Sequence, residues 1–185
     1  MNAARLLPLL ALLAAFVAPG CGMTVETDWD PSADFAAVRT WDWVPEPQAK
    51  TGDPRLDSDL LARRVRDAVE DALEQQGLAH RPGGEVDVLV GWHVGLETKL
   101  DVDTFYTGYG ARYGAWGAGY RTDTTVRQYE QGTLLIDLLA ADDRRLLWRG
   151  STSARIHEGD SPEQRDRRVR EAVAAILGKY PPGAD

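Results

Sequence analysis

The sequence predicts an α+β fold: a two-layer sandwich in which two amphipathic helices lie on one face of a mainly antiparallel sheet. Three observations predict it. Period-two alternation marks strands, and apolar residues at three- and four-residue spacing mark two helices. The elements then run strand, strand, helix, four strands, helix. Short turns between the last strands require antiparallel neighbours. The helices need a sheet face on which to bury their stripes.

Thr24 to Asp28 reads as a short strand, followed by a turn at Asp30-Pro31-Ser32-Ala33-Asp34. Val38 to Val44 is a second strand with Trp41 and Trp43 on one face, and Pro45 to Gly52 is a polar connection. Asp53-Pro54 supplies an N-cap and a first-turn proline for a helix. Its stripe is Leu56, Leu60, Leu61, Val65, Val69, Ala72 and Leu73, and Gly77 ends it. Arg63 with Asp67 and Arg66 with Glu70 are expected as solvent-side pairs. From Glu85 to Glu97 the chain alternates: Val86, Val88, Val90, Trp92, Val94 and Leu96 point one way, and Asp87, Leu89, Gly91, His93 and Gly95 the other. Three more strands are expected at Thr124–Tyr129, Thr133–Ala140 and Leu146–Ile156, with turns at Gly132 and Asp142-Asp143. Ser161-Pro162-Glu163-Gln164 is a capping box. The helix it opens buries Val169, Ala172, Val173, Ile176 and Tyr180 and stops before Pro181-Pro182.

The start of the chain has a different character. Leu6 to Val17 is an apolar run behind a single basic residue, Arg5. It falls short of the roughly 20 residues that span a bilayer as a helix, and it matches the apolar region of a secretory signal. Ala18, Pro19 and Gly20 follow, and then Cys21, the one cysteine of the chain. A lone exposed thiol in an oxidising compartment is a liability. The Ala18-Pro19-Gly20-Cys21 stretch resembles a lipobox, in which the cysteine sulfur carries a diacylglycerol and becomes the new N-terminus; Ala18 stands where that motif usually has leucine. The expected organisation is a signal peptide at 1–20 and a single lipid-anchored domain at 21–185. Gly22 after the cysteine, rather than Asp, favours an outer-membrane address facing the periplasm.

Composition excludes some partners. The net charge is −8, and removal of the leader takes away Arg5 and no acid. Nucleic acid and anionic lipid both require clustered Lys and Arg, so neither is expected as a partner. Membrane attachment must then be covalent or apolar.

Catalytic and metal constellations are absent from the sequence. His80, His93 and His157 are far apart, with no HExxH or CxxC, and no serine lies in a G-x-S-x-G elbow. His93 and Glu97 share one strand face, the residue types of a chelating pair, but they are read as residues of a solvated face. Asp28-Trp29-Asp30 and Asp101-Val102-Asp103 lack the rest of a calcium loop and read as turn and strand-end acids. No metal site and no cofactor are expected.

Two surfaces stand out. Between Thr104 and Thr122, Phe105, Tyr106, Tyr109, Tyr113, Trp116 and Tyr120 alternate with glycines. Glycine raises the cost of ordering, so the segment reads as a flexible loop. Its aromatics suit an interface, since each pairs apolar area with a polar tip. Leu89, Leu135, Leu139 and Leu147 fall on the sheet face opposite the helices, with Asp137 and Arg149, and form a candidate partner face.

The chain resembles the bacterial lipoprotein family known as domain of unknown function 4136. The likeness lies in Val25, Asp28, Asp30, Asp34-Phe35, Thr40-Trp41, Trp43, Asp87-Val88-Leu89-Val90, Gly132-Thr133-Leu134, Asp137 and Leu147-Trp148-Arg149-Gly150, in that order and spacing. The resemblance implies export, a lipid anchor and this fold, and it brings no catalytic residues with it. The leading expectation is therefore a non-enzymatic, lipid-anchored envelope module that binds another envelope protein. The alternatives are a binder of lipid or glycan through the glycine-aromatic loop, and a carboxylate-dependent envelope hydrolase for which no residue pair stands out.

Overall fold

The computed structural model describes residues 23–45, 50–107, 121–157 and 159–183. The elements are β1 (Val25–Trp29), a 3-10 turn (Phe35–Ala37), β2 (Thr40–Trp43), α1 (Asp59–Gln75), β3 (Ala79–His80), β4 (Val88–Thr107), β5 (Arg121–Ala140), β6 (Leu146–Arg155) and α2 (Pro162–Leu177). The six strands form one open sheet in the order β1-β6-β5-β4-β2-β3. β1, β6, β5 and β4 each run antiparallel to the next, and β2 runs parallel to both β4 and β3. With both helices packed on one side, this is the expected α+β sandwich.

Alternation along β4 and β5 builds the core. Val88, Val90, Trp92, Leu134, Ile136 and Leu138 are buried against Val65, Val69 and Leu73 of α1 and Val173, Ile176 and Leu177 of α2. The capping box at α2 forms as read: Gln164 donates its backbone N–H to the Ser161 hydroxyl, and the Gln164 side chain accepts from the Ser161 N–H. At the end of α1, Leu78 N–H reaches the Leu73 carbonyl and Gly77 N–H the Glu74 carbonyl, with Gly77 at φ +82°. That is a Schellman cap, and glycine is the residue that takes such a φ without strain.

Several expectations are corrected. α1 begins at Asp59 rather than Asp53, because residues 51–57 close a loop of their own. The Asp57 carboxylate accepts from the backbone of Thr51 and Gly52 and from the Thr51 hydroxyl, and Asp53 from the Arg55 backbone and side chain. Leu60, on the expected stripe, is 55% exposed. Arg66 and Glu70 turn to a tryptophan: the guanidinium lies 4.6 Å over the Trp43 ring, and Glu70 accepts from its indole N–H at 3.1 Å. Gly132 is no turn, since β5 passes straight through it. A Cβ there would sit 2.7 Å from Ile156 Cδ1, so the glycine serves close packing inside one long strand. The two-residue β3 was not foreseen.

β4 and β5 also run into the segment expected as a loop. Tyr106 lies within β4, with Thr122 as its register partner. Tyr109, Tyr113, Trp116 and Tyr120 lie outside the described residues, as does Cys21.

One junction holds β2 to β4. The Asp87 carboxylate accepts from the backbone N–H of Arg39 and Thr40 and from the Thr40 hydroxyl, all within 2.9 Å. The Arg39 amide first, and then Thr40, hold its carboxyl below the ordinary range. On the other side of the core, Trp148 is fully buried, and the Tyr180 ring lies edge-on to it at 5.5 Å. Burial pushes the Tyr180 hydroxyl up to about 12.

Two predictions follow from this packing. A Cβ on Gly150 would meet the Trp148 ring and come within 2.6 Å of Ile176 Cγ2, both immobile core groups. Gly150→Ala is expected to cost about 1–3 kcal/mol in urea unfolding; a neutral result would show that the ring has room to move. Asp87 is ionised in the fold with a lowered pKa, so its contribution is present above about pH 4 and is lost as pH falls through the folded value. Asp87→Asn is expected to be less stable at neutral pH and to lose less stability on acidification. Parallel pH profiles for the two proteins would refute this.

Candidate functional site

The sheet face opposite the helices is the surface the fold leaves open: no helix or strand among the described residues packs over it. Register arranges it in three rows. Asp42, Leu89, Leu139 and Leu146 form the first. Gly91, Asp137, Arg149 and Asp28 form the second. His93, Leu135, Ser151 and Glu26 form the third.

Three of the four predicted leucines are on this face: Leu89, Leu135 and Leu139 are half-buried there. Leu147 is not. A bulge between Leu138 and Leu139 skips one residue of β6, so Leu138 pairs with Trp148 and Leu139 with Leu146. The extra residue, Leu147, joins the buried core, and Leu146, 37% exposed, takes its expected place beside Leu139. Strict alternation places Leu147 with Arg149, and only the bulge breaks that parity. The result is an apolar strip across three strands, with Val44 at its edge against Gly91.

Asp137 sits at the centre with its side chain 7% exposed. Arg149 donates to it twice, Nε to Oδ1 at 2.6 Å and Nη2 to Oδ2 at 2.7 Å. This is the planar, two-bond fit of guanidinium to carboxylate. Asp137 hydrogen bonding raises the Arg149 pKa first, with the charges of Asp137 and Asp28 adding to it. Around the strip the rim is acidic, with Asp28, Glu26 and Asp42. Asp42 is held low in pKa: burial works to raise it, and the N–H groups of Gly83 and Trp43 and the His80 ring outweigh that. His80 itself stacks on Trp41 at 4.3 Å.

The other singled-out acids are committed locally. Asp30 accepts from the Ser32 backbone and hydroxyl and pairs with Arg145. Asp28 accepts from the Trp29 N–H, Asp101 pairs with Arg155, and Glu97 pairs with Lys99 at 2.6 Å rather than with His93. No three His, Cys, Asp or Glu residues gather into a metal-binding group among the described residues. A groove of about 200 Å³ lies between β1 and the tail after α2. That is below the roughly 300–1,000 Å³ of small-molecule sites.

The Asp137–Arg149 pair yields a double-mutant test. Arg149→Ala strands a buried carboxylate and is expected to cost about 2 kcal/mol, discounted because the guanidinium is 44% exposed. The Asp137→Leu/Arg149→Leu double variant removes both charges and is expected to be more stable than Arg149→Ala in chemical denaturation. A double variant as unstable as the sum of its singles would remove the pair from this role.

Comparison with known proteins adds the following. The chain matches no curated protein. Among solved structures, a PDZ domain protein from Parabacteroides distasonis ATCC 8503 is similar at 14% identity and a TM-score of 0.54. The match covers 86% of this chain and 35% of that one, so this chain spans about a third of its length. The PelC dodecamer from Paraburkholderia phytofirmans is similar at 10% identity and a TM-score of 0.44, covering 83% of this chain and 94% of that one. The first of these likenesses concerns the fold alone. The family described as "Domain of unknown function (DUF4136)" matches residues 25–182, so the chain belongs to that family.

Proposed function

We propose that this protein is a lipid-anchored component of the bacterial cell envelope that binds another envelope protein through the open face of its sheet and performs no catalysis. The observation that carries the binding reading is the strip Leu89, Leu139 and Leu146, which stays partly solvated beside the Asp137–Arg149 pair. Soluble monomers seldom leave contiguous apolar surface uncovered without use. The acidic rim of Asp28, Glu26 and Asp42 favours a partner that presents an apolar anchor flanked by Lys or Arg.

The anchor rests on the sequence: the apolar leader, the small residues and Cys21. No helix among the described residues is long and apolar enough to cross a membrane. Acyl chains on Cys21 would hold the domain at a surface, each buried methylene contributing about 0.8 kcal/mol. Gly22 favours the outer membrane, with the domain facing the periplasm.

The non-catalytic reading draws support from the carboxylates. Among the described residues, Asp30, Asp42, Asp53, Asp57, Asp87, Glu97, Glu130 and Glu163 are all held below the ordinary carboxylate range. A carboxylic acid that donates protons near neutrality needs the opposite shift.

The test has two arms. Intact-mass analysis of the processed chain is expected to show acyl mass on Cys21, and Cys21→Ala is expected to lose membrane retention. A photo-crosslinking residue at Leu146 is expected to capture an envelope protein in cells, whereas one at the solvent-facing Arg167 captures none. Retention without Cys21 would overturn the anchor, and equal capture from both positions would overturn the binding face.

A further inference from the structure

The long strands β4 and β5 outrun the rest of the sheet. On the β6 side, pairing ends at Gln131 with Arg155, followed by one further bond from Ile156 N–H to the Glu130 carbonyl. On the β2 side it ends at Trp43 with Val90, and Val44 N–H donates to the Val90 carbonyl. Beyond these points Lys99–Thr107 and Arg121–Tyr129 pair only with each other among the described residues. An isolated two-stranded ribbon is marginal in water, and a long bare strand edge invites another strand. Among the described residues no strand pairs with the outer edge of β4 from Trp92 to Thr107, roughly 50 Å at 3.3 Å per residue.

We propose that two copies of this chain pair through the outer edge of β4, antiparallel and centred on Thr98, so that their sheets join into one. This goes beyond the proposed function and is independent of the anchor and of the leucine strip.

The register follows from charge. Centring on Thr98 sets Glu97 opposite Lys99 of the second copy, and by symmetry Lys99 opposite Glu97. It also sets Leu96 opposite Leu100 on the helix-side face. Asp101 then meets Gly95, so Glu97, Lys99 and Asp101 each face an opposite or neutral position. Sliding the strands by two residues sets Glu97 against Glu97 in one direction and Lys99 against Lys99 in the other. Like charges directly opposite are destabilising and unlike ones stabilising, so charge favours the centred register over either slide.

Two further observations agree with it. Leu100 is 65% exposed on the ribbon, a large apolar side chain that its own strands leave in solvent. In the pair it meets Leu96. Backbone direction also fits, because the Val90 carbonyl points outward to Val44. The period of two then turns the N–H and C=O of Thr98 outward as well. The two central threonines become a hydrogen-bonded pair with Cα atoms about 5.5 Å apart.

The experiment uses the full chain in detergent. Thr98 is exposed and its Cα spacing suits a disulfide, so Thr98→Cys is expected to link two chains under mild oxidation, well above the parent chain with Cys21 alone. Ser153→Cys, exposed on β6, is the control expected to stay at the parent level. By sedimentation, Lys99→Glu is expected to weaken association roughly tenfold, since both central pairs become like-charged. The charge swap Glu97→Lys/Lys99→Glu is expected to restore it. All three positions are solvent-exposed or half-exposed, so the fold is not at stake. A parent chain that sediments as a monomer at all micromolar loadings would overturn the proposal. So would a Thr98→Cys yield equal to that of Ser153→Cys, or association indifferent to the Lys99→Glu change.

Discussion

The antiparallel register between β4 and β5 is the constraint on which the rest of the structure depends. It sets Val88, Val90 and Trp92 beside Ala140, Leu138 and Ile136 on one face. On the other it sets Leu89, Gly91 and His93 beside Leu139, Asp137 and Leu135. A slip of one residue would carry the whole apolar set to the open side and drive Asp137 into the helix layer. The buried Asp137 penalises that slip strongly, because its carboxylate finds Arg149 only when β6 is also in place. The ion pair therefore acts as a register pin. It adds little net energy over an apolar substitute, and it makes wrong pairings costly.

The same pin explains why the open face is both apolar and ionic. A leucine strip alone would resemble an unfinished core and invite indiscriminate association. With a fixed carboxylate and guanidinium at its centre, any partner must leave the bidentate pair intact and match the acidic rim. Charges placed this way contribute selectivity more than affinity. Gly91 and Gly150 are the small residues that make this possible. Gly91 lets Val44 lie against the sheet, and Gly150 lets Trp148 and Ile176 fill the space on the helix side.

Much of the fold was legible because its signals are local. The alternation in β4, the capping box at Ser161 and the glycine cap at Gly77 each depend on a few neighbouring residues. What the sequence hid depends on distant ones. Gly132 looks like a turn until Ile156 is known to lie against it, and Asp53 looks like an N-cap until Asp57 gathers residues 51–57 into a separate loop. Leu147 follows the alternating pattern of β6, and only the bulge takes it off the face. On the candidate face Leu89, Leu135 and Leu139 were legible from parity. Leu146 and the opposition of Asp137 to Arg149 were not, since both follow from pairing between strands.

The bare edge of β4 and the open face make different demands, and the geometry lets one chain meet both. Edge pairing uses backbone groups in the plane of the sheet, whereas the leucine strip uses side chains normal to it. Joining two sheets through Thr98 therefore leaves the strip uncovered. It also sets the two strips side by side on one continuous surface, because antiparallel partners about a twofold axis perpendicular to the sheet keep their faces aligned. A partner that touched one strip weakly would then meet two at fixed spacing, and the second contact would form at high effective concentration. Charge at the edge guards against pairing with other strands, since Glu97 and Lys99, paired with each other within the chain, both meet opposite charges across the edge only from a strand that carries the complementary order.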